Sequence, residues 1–174
     1  MATAPRAARP APRGEPGPGP GTCRAVTELV EEPDRDLPSV DDLAGVVDLV
    51  RRHGRDLYLR YSGGPRKDVE SGPSSDYEAG VELPGLSVTD IAPEDWWPRP
   101  VEDWVARRIC KYLELGEEDE RYPWLLTGRL TGHGPDHEPV VDHVLPVARI
   151  GQAALDEAKR LYTERFDVGE DSRS

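Results

Sequence analysis

The sequence predicts an α+β domain with a mainly antiparallel sheet and about three helices. Three observations lead there. Separate stretches keep apolar residues at helical spacing, short runs alternate as strands, and a late pattern of strand, glycine-rich turn and strand reads as a hairpin. Strands and helices do not alternate regularly enough for a doubly wound parallel sheet.

The domain is expected over residues 37–167, with a disordered Pro/Gly/Arg-rich tail over 1–36 and a disordered C-terminus over 168–174. Pro and Gly fill ten of the first 21 positions. Such a stretch cannot bury enough apolar surface to offset the entropy lost on ordering. A chain of 174 residues has room for one ordinary domain.

The first helix is expected over 39–54. Leu43, Val46, Val47 and Val50 form an i, i+3, i+4, i+7 stripe, and Ser39 with Asp42 resembles a capping box. Arg51 and Arg52 suit the negative end of the helix dipole, and Gly54 suits the left-handed stop. Asp56 to Ser62 then reads as a strand with Leu57, Leu59 and Tyr61 on one face and Tyr58, Arg60 and Ser62 on the other. Gly63 to Glu78 reads as an exposed loop. Short strands are expected at 80–83 and 86–89, broken at Pro84-Gly85.

A second helix is expected from Val101 to Leu115, with Pro100 at its start, where a missing N–H costs nothing. Glu117 to Arg121 reads as a charged turn. The hairpin arms are expected at Trp124–Leu130 and Val140–Ile150, with Pro146 marking an edge or a bend. A last helix is expected over Gln152–Phe166, with Leu155, Ala158, Leu161 or Tyr162, and Phe166 facing inward.

The net charge of −12 disfavours nucleic acid and anionic membranes as partners of the folded part, and favours a basic protein partner. No leader-like segment opens the chain and no apolar run approaches membrane-spanning length, so a cytoplasmic protein is expected. Cys23 and Cys110 fall at the tail's edge and inside a helix, a placement that argues against a disulfide.

Three constellations could carry chemistry. The first is Arg60, then Ser87-Val88-Thr89, then Asp136-His137-Glu138. That order resembles ADP-ribosyltransferase-like NAD-binding domains. The resemblance implies that Arg60 grips a phosphate or ribose, Ser87 lines the nicotinamide pocket, and Glu138 is the catalytic carboxylate that holds the ribose hydroxyl and stabilises an oxocarbenium-like transition state. The usual Glu-x-Glu or Gln-x-Glu is Asp136-x-Glu138 here, and the middle strand lacks the fuller Ser-Thr-Ser. On the bland alternative, Arg60 pairs with a surface carboxylate and Glu138 sits in a solvated hairpin loop.

The second constellation is His133, His137 and His143 with Asp136, Glu138 and Asp142, within eleven residues. These donors suit zinc or iron, but Gly134-Pro135 excludes the helix that would align His133 with His137, and no metal site is assigned. The third is Trp96, Trp97 and Trp104, read as core that staples the second helix onto the sheet rather than as a stacking platform. Gly63-Gly64-Pro65-Arg66-Lys67 is basic and glycine-rich, but no helix is expected after it, so no phosphate cradle is assigned.

The run Leu57-Tyr58-Leu59-Arg60-Tyr61-Ser62-Gly63-Gly64-Pro65 resembles a family of small actinobacterial proteins known as a domain of unknown function. The likeness continues through Asp76–Ser87, Trp96-Trp97, Asp103-Trp104, Thr127-Gly128-Arg129 and Gly134–Pro139, over about residues 37–166. It implies a stand-alone intracellular domain and brings no activity or cofactor. The reading favoured is a non-enzymatic interaction or regulatory protein, antitoxin-like in kind. The alternative is an ADP-ribosyltransferase-like enzyme with NAD as cofactor.

Overall fold

The computed structural model describes residues 37–113 and 121–166. The expected tail and C-terminus, Cys23, Glu114 and Leu115 of the expected second helix, and Glu117 to Glu120 of the expected charged turn lie outside the described residues.

The chain opens with a two-residue strand β1 (Ser39–Val40), then helix α1 (Leu43–His53). Asp42 caps α1 with its own side chain, its carboxylate accepting from the Gly45 amide at 2.6 Å, so Ser39 lies outside the helix and the expected box reduces to one residue. Leu43, Val46, Val47 and Val50 are all buried, as their spacing requires, and Gly54 ends α1 with φ of 59°. A 3₁₀ turn over Gly54–Asp56 leads into β2 (Leu57–Ser62).

Helix α2 (Pro65–Ser71) follows where a loop was expected. Its only large aliphatic side chain, Val69, is 82% exposed, so no amphipathic stripe announces it. Pro65 fits the first helical position and Asp68 ties the helix down. A helix therefore does follow the Gly63–Lys67 run, contrary to expectation.

Next come β3 (Ser75–Asp76) and β4 (Val81–Glu82), which pair only with each other, then β5 (Leu86–Ser87) and β6 (Thr89–Asp90). Helix α3 (Val101–Cys110) carries Glu102 and Asp103 in its first turn and Arg107 and Arg108 in its last, charges matched to the helix dipole. The long hairpin β7 (Tyr122–His133) and β8 (Pro139–Ile150) precedes α4 (Gln152–Phe166). The described residues thus hold four helices rather than about three.

The main sheet runs β1-β8-β7-β2-β6, antiparallel except where β1 joins β8. Segment 86–90 closes it into a curl. Leu86 and Ser87 pair with Val141 and Val140 of β8, while Thr89 and Asp90 pair with Leu59 and Tyr58 of β2. One extended segment is thus shared between the two ends of the sheet. Between the stretches paired to β5 and β1, residues 142–148 of β8 have no second neighbour, and Pro146, which has no N–H to offer, sits there.

Strand alternation divides the interior in two. Leu57, Leu59 and Leu125 face α1, α3 and α4 and pack with Val46, Val50, Val105, Ile109 and Ala158. Tyr58, Trp124 and Leu126 point into the curl with Val88 and Val141. The α+β class and the two faces expected of β2 are both present.

Candidate functional site

Arg60 lies on the inner face of β2, its side chain largely sequestered beside Asp68. Its Nε and Nη2 donate to the two carboxylate oxygens of Asp68 at 2.8 and 2.9 Å, a bidentate pair. Its Nη1 donates to the Ser87 carbonyl at 2.5 Å and to Ser74 Oγ at 3.4 Å. Asp68 also accepts from Ser62 Oγ at 2.7 Å, and Ser62 Oγ accepts from the buried Trp124 indole at 2.9 Å and from the Gly64 amide at 3.1 Å. Ser74 Oγ accepts from the Ser87 amide at 3.0 Å. One guanidinium thus joins β2, α2, the loop at Ser74 and β5.

Ser87 contributes its backbone to this network through both amide and carbonyl. Glu138 stands at the β7–β8 turn, where its carboxylate accepts from the Asp136 amide at 3.0 Å. The turn is closed by the His137 amide donating to the Gly134 carbonyl at 3.0 Å and the Gly134 amide donating to the Glu138 carbonyl at 2.9 Å. His137 takes φ of 62°, the left-handed step such a loop needs. The Glu138 carboxylate folds over Gly134, where any Cβ would collide with it.

Arg60, Ser87 and Glu138 nevertheless line one open cleft of about 460 Å³, together with Tyr61, Lys111, Tyr112 and Asp136. Their convergence follows from the curl, which carries β5 and the hairpin turn back towards β2. What the cleft lacks is an uncommitted anion grip at Arg60, because the donors facing it already bond Asp68, Ser74 and Ser87.

From the same hub projects the β3–β4 hairpin. Ser74 anchors its base through two backbone bonds, its amide to the Gly85 carbonyl at 2.9 Å and its carbonyl to the Leu83 amide at 2.8 Å. Asp76 fixes the tip by accepting from the Ala79 amide at 2.6 Å. Tyr77 stands 95% exposed at that tip, with Val81 also exposed and Glu78 and Glu82 beside them. Sequence reasoning placed Tyr77 in an anonymous loop. The available signal was an aromatic bracketed by Asp76 and Glu78 between small residues.

The three tryptophans divide. Trp104 is 4% exposed and Trp96 is 68% exposed. Trp97 stacks towards Phe166 with ring centroids 6.5 Å apart, and the Arg99 guanidinium sits 4.3 Å over the Phe166 ring. The cluster therefore joins α3 to the end of α4 rather than to the sheet. Arg99 also pairs with the buried Asp103 at 2.8 Å.

Burial pushes the Cys110 thiol up to about 11, opposed by Lys159, and Cys110 is a free thiol. Burial likewise raises the Tyr61 hydroxyl, which donates to the Ile109 carbonyl at 2.9 Å. Hydrogen bonding from Arg129 and then from His143 holds the Asp142 carboxyl well below the usual range. Among the described residues no group of three or more His, Cys, Asp or Glu side chains is placed to hold a metal ion, and no helix is long and apolar enough to cross a membrane.

The model of a family of unknown function, DUF6098, matches residues 33–173, and the chain belongs to that family. No curated protein and no solved structure matches the chain.

Proposed function

We propose that the domain acts by binding rather than by catalysis, as a non-enzymatic interaction protein of the regulatory, antitoxin-like kind, with a basic protein as partner. The observation that carries this is the β3–β4 hairpin. It presents Tyr77, 95% exposed, on a turn fixed by Asp76, and its base is held by Ser74. An exposed aromatic on a pre-ordered support loses little freedom on docking and makes a good anchor. Glu78 and Glu82 beside it, and the net charge of −12, favour a basic surface opposite.

The test is a photo-crosslinking amino acid at position 77 in cells. The expected product is one dominant adduct with a protein of basic charge, lost in Glu78→Lys/Glu82→Lys. An adduct that survives charge reversal, or no adduct above that of a crosslinker placed at exposed Leu145, overturns the reading.

One observation favours a second reading, an NAD-using transferase: Arg60, Ser87 and Glu138 share a cleft. That reading requires NAD⁺ to bind there and requires binding to fail in Glu138→Ala.

A further inference from the structure

We propose that a second pocket beside α3, which shares Lys111 with the cleft at Arg60, binds a small aromatic anion, a planar ring carrying a phosphate or carboxylate. The site goes beyond the docking hairpin and does not depend on it. The pocket encloses about 420 Å³ and is lined by Trp96, Trp104, Arg107, Arg108, Lys111 and Tyr162. That volume lies in the range of small-molecule sites.

Two features point to a ligand. The first is a pair of unsatisfied donors. Trp104 is buried to 4% exposure and its indole Nε1 has no acceptor, and the Nε of Arg108 has none either. Buried donors are paired in nearly all folded proteins, so two orphans on residues that line one pocket point to an acceptor from outside the chain. The second is clustered positive charge. Among the described residues no carboxylate lies within ion-pair distance of Arg107, Arg108 or Lys111, although the Asp90 carboxyl feels the charge of Arg108. In a chain of net charge −12, Arg107, Arg108 and Lys111 gather three positive charges within five residues at the end of α3.

The aromatic half of the ligand follows from the walls. Trp96 stands edge-on to Trp104 with centroids 6.0 Å apart, yet remains 68% exposed, which leaves ring surface open for stacking. Tyr162 supplies another partly exposed ring. Arg108 already lies 4.7 Å over the Trp104 ring, so cation and aromatic surfaces meet where an aryl anion needs both. The orphan donor atoms are themselves out of contact with solvent. The oxyanion reaches them when a wall side chain turns aside, and Trp96 is the most exposed.

The test is calorimetric titration of the full chain with adenosine 5′-monophosphate and with benzoate, which separate phosphate from carboxylate. Adenosine and ribose 5-phosphate each supply one half of the proposed ligand. Saturable binding of adenosine 5′-monophosphate or benzoate is expected, with both half-ligands at least about tenfold weaker. Trp104→Phe keeps a ring and removes the N–H, and should weaken binding about tenfold. Arg107→Gln/Lys111→Gln changes only exposed side chains and should weaken binding and flatten its salt dependence. The proposal is overturned if neither ligand binds at about 10 mM, a concentration at which even a site of millimolar Kd is mostly filled. It is also overturned if a half-ligand binds as tightly as the whole, or if both variants bind as the parent does.

Discussion

Replacing Arg60 with Met tests whether the guanidinium is a structural joint. The substitution keeps much of the aliphatic stem and removes the charge, leaving Asp68 buried with only the Ser62 hydroxyl as a partner. The side chains of the pair are 18% and 8% exposed, so water screens it poorly. Removing one member of such a pair costs about 3–5 kcal/mol, chiefly because a charge is left unpaired. Against a domain stability of about 5–15 kcal/mol that is a large fraction. Arg60→Met/Asp68→Leu removes both charges and should recover most of the loss, short of about 1 kcal/mol for the Ser62 hydrogen bond. Urea denaturation followed by far-UV circular dichroism reads both variants. A loss below about 1 kcal/mol in Arg60→Met, the value of an exposed pair, would refute the reasoning. So would a double variant no more stable than the single one.

Two further outcomes follow from the same geometry. In the Cys23→Ser chain, the half-buried Cys110, its thiol pushed up to about 11, should react slowly with a thiol reagent at neutral pH and faster in urea; native reaction as fast as in urea would contradict that shift. Burial raises the Asp90 carboxyl, partly opposed by Arg108, so the folded form holds its proton to higher pH than the unfolded chain does. Its contribution is therefore present at acid pH and lost as pH rises through the folded value, and Asp90→Asn should flatten the stability profile just above the ordinary carboxylate range. An unchanged profile would show that Asp90 titrates alike in both states.

The parts of the fold written in apolar periodicity were legible. Leu43, Val46, Val47 and Val50 announce α1, and Leu57, Leu59 and Tyr61 give β2 its helix-facing side. Helix α2 was not legible, because Asp68 anchors it through an ion pair and its one large aliphatic side chain points outward. A single carboxylate has no period. The curl was hidden for a related reason, since nothing local in Leu86–Asp90 says that its two halves pair with different strands. At the cleft, residue order alone drew Arg60, Ser87 and Glu138 together, and they do line one space. Their partners could not be read, because Asp68, Ser74 and the Asp136 amide are specified by tertiary geometry. The exposed Tyr77 and the orphaned Trp104 donor were equally out of reach, because exposure and hydrogen-bond satisfaction belong to the folded chain.

The central claim is that the cleft at Arg60 holds the fold together and that the domain works by binding a partner. Titration of the full chain with millimolar NAD⁺ by calorimetry tests it most directly. No heat that depends on Glu138 is expected: the Glu138→Ala trace should match that of the parent, any binding at the pocket beside α3 being common to both. Saturable NAD⁺ binding that disappears in Glu138→Ala, with the circular dichroism spectrum unchanged, would contradict it and make the cleft a cofactor site.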